Sequence, residues 1–496
     1  MIDKLIIALY LIAVTAFGCS FYFRKGRGKT EDFTKGGRRL PAWTLALSVF
    51  ATYVSSISFL ALPAKAYLES WNALVLSFSI PIAAVVAAIW FVPFYRKQTS
   101  ASAYSFLEAR FGVWSRLYAS GCFLVMQSVR SGMILFLLAL LLNTLMGFSI
   151  PATIAVVGLA TMVYSMMGGL EAVVWTDAVQ AIILIAGAII CLVVLGLTMP
   201  DGIAAGVGAA FDAGKFSLGS FVISDWSKET FWVTFLYGIF LNLQNFGIDQ
   251  SYTQRYIAAK TDGEAVKSMF SGAMLYLPVS AVFVAIGTLL WAWVQANPGV
   301  VPAETLAKSD AVFPWFIVHR LPTGVSGLLV AAIVAAAMST VSTTLNGGAT
   351  VLLEDYRKRF AKTEVAPSAQ LRFLRLATVG LGIFSIAVAL AVMNVKSVLT
   401  AWWALQSILS GGMLGLFLLG AYSRQTSGKR AAIATVLGII AVALVTFGPA
   451  LTNLPRFLHV NLAMVIGTLV LVLTGATWRT QEKPPLKPIV AVVSAV

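Results

Sequence analysis

The sequence predicts an all-α membrane protein with about thirteen transmembrane helices, and three observations carry that prediction. Apolar residues make up 59% of the 496-residue chain and charged residues only 11%, against roughly 25% charged in soluble globular proteins. The mean hydropathy is +0.87. Apolar runs recur along the whole chain at a length of about 20 residues, enough to cross a hydrocarbon core about 30 Å thick.

In order, the runs cover roughly 3–23, 42–67, 73–95, 117–146, 150–167, 173–199, 231–256, 268–294, 322–350, 372–393, 397–421, 430–448 and 458–477. The first reads as a retained span. Lys4 is its only early positive charge, and the basic cluster Arg24, Lys25 and Arg27 follows the apolar stretch, the reverse of a signal peptide. With the N-terminus outside, 26 of the 35 lysines and arginines fall in the loops then assigned to the cytoplasm (Arg255–Lys267 among them). Eight fall outside, and Arg130 is left inside the membrane. That asymmetry fixes the orientation as N-terminus out and C-terminus in. Long external connections near 200–230 and 295–320 have room for short interfacial helices. The layout is one transporter-sized unit over 1–478 and a short cytoplasmic tail over 479–496.

Several function classes drop out. The net charge of +15 follows membrane topology, so it does not indicate a nucleic-acid partner. Cys19, Cys122 and Cys191 lie in apolar runs without a paired spacing, and His319 and His459 stand apart from any ligand cluster. Lys29-Thr30 and Lys429 lack the first glycine of a phosphate loop. Converging nucleophile and base pairs are missing from the spans, so the chain reads as a non-enzyme. A channel would need a polar stripe through several helices, whereas the polar residues here cluster at mid-depth.

Those mid-membrane polar residues point to function, because polar atoms in lipid need a partner or a cavity. In the second span, 51–58, five of eight residues carry a hydroxyl. Either the helix unwinds there around a cavity or ion, or it stays continuous and its serines pack against neighbouring helices. The seventh span has a comparable polar middle at Asn242, Gln244, Asn245 and Gly247. Two such spans five apart predict an inverted repeat with a site at the midplane: a first repeat over 41–200 and a second over 231–425. The first helix and its basic loop (1–40) and the last helices (426–478) are then peripheral. Ser339, Ser342 and Thr343 share one face of the ninth span. They suit a hard alkali cation, or equally a small-residue packing face. Asp177 could cap the sixth span or balance a cation. Arg130 is the only charge in the 117–146 run, where burial costs about 2.5–3.5 kcal/mol on the insertion scale. It either binds a carboxylate from a wet cavity or pairs structurally, with Asp249 as the candidate partner.

The same residues carry a resemblance. Phe33–Trp43, Glu108–Phe111, Met167–Ala172, Trp175–Asp177 and Ala336–Thr340 resemble, in order along nearly the whole chain, the sodium:solute symporter family. Phe50–Tyr67, Ser102–Tyr104 and the arginine in the third core helix are most similar to its bacterial sodium/sialic acid branch. The resemblance implies a LeuT-like five-plus-five inverted repeat with one extra N-terminal and two extra C-terminal helices. It implies a sodium site from the carbonyls of Ala51, Val54 and Ala336 and the hydroxyls of Ser339 and Thr340. A second would use Asp177, Ser342 and Thr343, with Ser339 open to sharing between the two, for two Na+ ions in all. Ser55, Ser56 and Ser58 with Arg130 would hold a substrate carboxylate. In the third span, Ser77 and Ala73 stand where the branch has a glutamine and an aromatic residue. The implied activity is sodium-driven import of sialic acid across a bacterial inner membrane by a protein working as a monomer in the bilayer. A symporter of a neutral sugar, inositol, proline or another small acid is the alternative, and Arg130 discriminates the two.

Overall fold

The computed structural model describes residues 2–23, 29–98, 100–306, 309–394, 398–423, 426–452 and 457–477. The Arg24–Arg27 cluster and the 479–496 tail lie outside them. Each of the thirteen apolar runs contains a helix. These are α1 (Ile2–Ser20), α2 (Ala42–Tyr53), α3 (Ser56–Leu68), α4 (Asn72–Lys97) and α5 (Val113–Met146). They continue with α6 (Ile150–Leu197), α7 (Phe231–Ile248), α8 (Gln250–Ala258), α9 (Asp262–Ala296) and α10 (Val325–Val351). The chain closes with α11 (Pro367–Ala391), α12 (Val398–Tyr422), α13 (Gly428–Thr452) and α14 (Leu462–Thr477). Short helices at Gly202–Asp212 and Ser309–His319 occupy the two long connections, as the sequence predicts.

By length and composition, ten of the described helices cross a membrane singly, and a bent pair adds an eleventh. The difference from thirteen has two causes. The fifth and sixth runs form one helical stretch, α6, of 48 residues. At 1.5 Å per residue that is about 72 Å, more than twice the hydrocarbon thickness. Gly169 divides it at the predicted boundary with φ 58° and ψ −152°. The last run yields only 16 helical residues in α14, short for a perpendicular crossing.

Gly169 occupies backbone space that is close to glycine-only, and a Cβ there would lie 2.7 Å from the Cα of Phe33. Gly169→Ala is therefore expected to destabilise the chain by at least about 1–3 kcal/mol, read as a lower unfolding midpoint in detergent. An unchanged midpoint would show that the turn relaxes without cost.

The second and seventh spans are both broken. α2 ends at Tyr53, Val54 and Ser55 are extended, and α3 starts at Ser56. The two halves are bent by 54°. In the seventh span Asp249 alone is extended, between α7 and α8. Of the two readings open for the second span, the interrupted helix is the observed one. α9 braces both halves of the break; at Gly287 it comes so close that a Cβ would lie 2.1 Å from the carbonyl oxygen of Pro63.

α10 is buried on all sides and packs against α6, α5 and both halves of the broken second span. α13 and α14 pack on each other and on α12, presenting Ile433, Val436, Leu444 and Leu473 outward. The outer face of α1 is likewise apolar, with Leu5, Leu9 and Ile12 exposed, as a lipid-facing helix requires. One expectation is corrected here. Arg255, counted with the loop that follows the seventh span, is fully buried in α8.

Candidate functional site

The break in the second span frees backbone groups, and the local sequence explains why. Ser55 caps α3: its hydroxyl accepts the Ser58 N–H at 3.3 Å, the role that favours serine at an N-cap. The Val54 N–H makes the last backbone bond of α2, to Phe50, so the carbonyls of Ala51 and Val54 are left without their helical partners. Ser55 and Ser56 are buried and Ser58 is half-buried. The Ser56 hydroxyl has no hydrogen-bond partner among the described residues. A buried orphan hydroxyl is uncommon, because leaving it unpaired costs about 1–3 kcal/mol.

α10 brings the other half of the predicted cation ligands to this break. The Thr340 hydroxyl donates to the Ala336 carbonyl at 3.1 Å, so these two lie together. Ser339 donates to Asp177 Oδ1 at 2.7 Å. Ser342 donates to the Ser339 carbonyl at 3.0 Å.

Asp177 is wholly buried rather than capping an exposed helix end. Its Oδ2 accepts from the Ser48 hydroxyl at 2.6 Å and from Arg255 Nη2 at 2.8 Å. The same Nη2 donates to the Thr343 hydroxyl at 2.7 Å. Asp177, Ser339 and Thr343 thus come together with a guanidinium among them, whereas the Ser342 hydroxyl bonds the Ser339 carbonyl. Ser48 and Arg255 escaped the sequence reading. The available signal was the all-polar run Ser251–Arg255, since a helix polar all round at membrane depth must be surrounded by protein; all nine residues of α8 are buried.

Arg130 lies half-buried on α5, and α5 packs against α3. Among the described residues it makes neither hydrogen bond nor ion pair. Asp249 and Tyr252 are near enough to feel its charge. Asp249 is hydrogen-bonded by Gln127 Nε2 at 2.8 Å and by the Ser251 N–H at 2.7 Å, and not by Arg130. Gln127 lies one turn before Arg130 on the same face.

On the third span, Ser77 is buried and Ala73 half-buried. Neither makes a side-chain hydrogen bond among the described residues. The amide of Asn242 reaches across from α7 to Ser79 Oγ at 2.9 Å and to the Leu76 carbonyl at 3.4 Å, flanking Ser77. Its Oδ1 accepts from the Tyr53 hydroxyl at 2.5 Å. Tyr53 in turn packs on Tyr276 with ring centroids 4.3 Å apart. An amide and two tyrosines therefore pack together beside the stretch of the third span that carries Ser77.

One end of the bundle is closed by ions. Arg116 binds Asp355 at 2.6 Å and Glu108 at 2.8 Å, Ser102 donates to Asp355 at 2.7 Å, and Arg359 binds Glu108 at 2.6 Å. Partial burial opposes ionisation of Glu108, but the two arginines outweigh it and hold its carboxyl below the ordinary range. The short helix Thr30–Lys35 is tied to α8 and α10, its Phe33 and Thr34 carbonyls accepting bonds from Asn346 at 3.2 Å and Gln254 at 3.1 Å.

The model of the sodium:solute symporter family matches residues 33–438. The chain is similar to the sodium/sialic acid symporter SiaT of Proteus mirabilis, with 32% identity covering 94% of this chain and 92% of that one. It is similar to the sodium/sialic acid symporter NanT of Aliivibrio fischeri, also at 32%, covering 94% and 90%. Among solved structures it is similar to a Na+-coupled sialic acid symporter in a substrate-bound outward-open state that reveals a novel Na+ site. The TM-score is 0.89 at 31% identity, covering 96% of this chain and 97% of the other.

Proposed function

The chain belongs to the sodium:solute symporter family, and from that premise we propose that it imports sialic acid, N-acetylneuraminate or a derivative, across a bacterial inner membrane by sodium-coupled alternating access. The fold is the LeuT-like five-plus-five inverted repeat, with one extra helix before it and two after. It is a transporter and not an enzyme.

The observation that carries the substrate reading is Arg130: a half-buried guanidinium that makes no hydrogen bond or ion pair among the described residues, on a helix that packs against the broken span bearing the Ser56 hydroxyl, itself without a hydrogen-bond partner among them. A carboxylate there takes bidentate bonds from Arg130 and hydroxyl bonds from Ser55, Ser56 and Ser58. The rest of the sugar lies toward Ala73 and Ser77.

Sodium in the first site is held by the carbonyls of Ala51, Val54 and Ala336 and the hydroxyls of Ser339 and Thr340. It bridges the broken span to α10, which couples ion binding to the shape of the substrate site. A second ion uses Asp177, Ser342 and Thr343. Two sodium ions with a monoanion carry one net positive charge inward, gaining about 2.3 kcal/mol per 100 mV of membrane potential. In the proposed orientation the N-terminus is outside, and the Arg116–Asp355–Glu108 network closes the cytoplasmic end. Its closure supports an outward-facing state. Residues 41–200 and 231–425 form the two repeats of one transporter domain spanning 1–478, which works as a monomer in the bilayer.

The test is thermal unfolding of the purified chain in detergent. N-acetylneuraminate is expected to raise the midpoint in sodium and not in potassium, with glucose, inositol and proline inert. Stabilisation by one of those neutral solutes instead would overturn the carboxylate reading.

A further inference from the structure

Asp177 is the one carboxylate in the second set of predicted sodium ligands, and in this structure its positive partner is already covalently attached to the chain. The three guanidinium nitrogens of Arg255 are all engaged. Nε donates to the Ser48 hydroxyl at 2.8 Å, Nη2 to Asp177 and Thr343 at 2.8 and 2.7 Å, and Nη1 to the Ser251 carbonyl. Both residues of the ion pair are essentially inaccessible to solvent. Ser48 and Ser339 complete the carboxylate, one on each oxygen.

A hard cation at this site needs the same oxygen atoms. Asp177 Oδ2 and the Thr343 hydroxyl already face Nη2, so a sodium ion on the same atoms would lie beside the guanidinium, and two positive charges beside one buried carboxylate repel strongly at low dielectric. The guanidinium also satisfies the site well, since buried charges persist when paired and hydrogen-bonded.

We propose that Arg255 is a tethered competitor of sodium at Asp177: the guanidinium holds the site when the ion is absent, and the second sodium binds only by displacing it. The proposal rests on the reading of the chain as sodium-coupled, and not on the identity of its organic substrate. It has two consequences. Sodium entry at Asp177 moves a charged side chain of α8, the second half of the broken seventh span, so ion binding is linked to rearrangement of that repeat. When the ion leaves, Asp177 is never left unpaired, which removes the penalty that a bare buried carboxylate would impose on the ion-free return step.

The competition lowers apparent sodium affinity by the fraction of molecules in which the site is free. In the full-length protein in detergent, without organic substrate, sodium is titrated by thermal unfolding and by direct binding of radioactive sodium. Arg255→Gln keeps donors for Ser48 and removes the charge; it is expected to lower the half-saturating sodium concentration for the second ion at least tenfold. Arg255→Lys retains a competing cation and is expected to stay near the parent. The neutral double variant Asp177→Asn/Arg255→Gln is expected to fold and to bind one ion fewer. An unchanged or higher half-saturation in Arg255→Gln overturns the proposal, because the guanidinium would then be a bystander or a support of the sodium site. Should Arg255→Gln not fold, Ser48→Ala carries the test. It releases Nε and is expected to shift half-saturation downward by a smaller factor, and an unchanged or upward shift overturns the proposal. Failure of the parent protein to bind N-acetylneuraminate in a separate titration would contradict the substrate reading and leave these sodium titrations interpretable.

Discussion

Replacing Arg130 with alanine is expected to reduce N-acetylneuraminate affinity at least about thirtyfold while sodium-dependent stabilisation persists. The basis is the side chain's situation. Arg130 sits half-buried on α5 with no hydrogen bond or ion pair among the described residues, while Asp249, the nearby carboxylate, is taken by Gln127 and Ser251. Its charge costs a few kcal/mol at that depth, and a bound carboxylate offsets that cost. Removing one partner of a desolvated charge pair costs about 2–5 kcal/mol or more, which corresponds to thirtyfold to several-thousandfold in affinity. Arg130→Lys should recover only part of the loss, because an ammonium cannot present the planar fork. Isothermal titration of substrate at saturating sodium separates the outcomes. Unchanged affinity in Arg130→Ala would remove the arginine from the substrate site.

The second large effect is expected at Ser339. Its hydroxyl belongs to the first predicted sodium set and also donates to Asp177 Oδ1 at 2.7 Å. Ser339→Ala removes a ligand from one site and leaves a buried carboxylate oxygen unsatisfied at the other, a penalty of about 1–3 kcal/mol and more for a charged group. Half-saturating sodium for uptake is expected to rise at least tenfold, with substrate affinity at saturating sodium nearly unchanged. Thr340→Val should act more weakly, since the Thr340 hydroxyl is bonded to the Ala336 carbonyl and touches only the first set. A sodium dependence equal to the parent's in Ser339→Ala would remove this residue from ion coupling.

Much of the scaffold was readable because the bilayer constrains it. Only helices satisfy their own backbone in lipid, so runs of the right length and composition located every described span. The break at Val54 and Ser55 was legible as one of two alternatives, since hydroxyl density signals competition for backbone bonds without saying whether the helix yields. The bend and its Ser55 cap decided that question. The boundary at Gly168 and Gly169 was legible as the gap between two apolar runs, but the turn on a single glycine with positive φ, without an intervening loop, was not.

In the site, residues whose burial is expensive were the easiest to find: Arg130 and Asp177 stand out as charges in apolar surroundings. Arg255 was missed for the opposite reason. It lies at the edge of a predicted span beside true loop charges, and the sequence alone does not tell a solvated end from a polar helix buried in protein. Ser48 was missed because one serine in an apolar helix is ordinary packing until the carboxylate 2.6 Å away is seen. The amide of Asn242 was read as part of a polar mid-span, but its reach to the third span at Ser79 required the tertiary structure.

The most direct test of the account is uptake of radiolabelled N-acetylneuraminate by the full chain in proteoliposomes, under an inward sodium gradient with an imposed inside-negative potential, against a potassium-only control. The account predicts uptake that requires sodium and accelerates as the interior becomes more negative, the signature of more than one sodium ion per monoanion. Uptake that proceeds equally in potassium, or no sodium-driven uptake of N-acetylneuraminate by protein that sodium still stabilises, would contradict it.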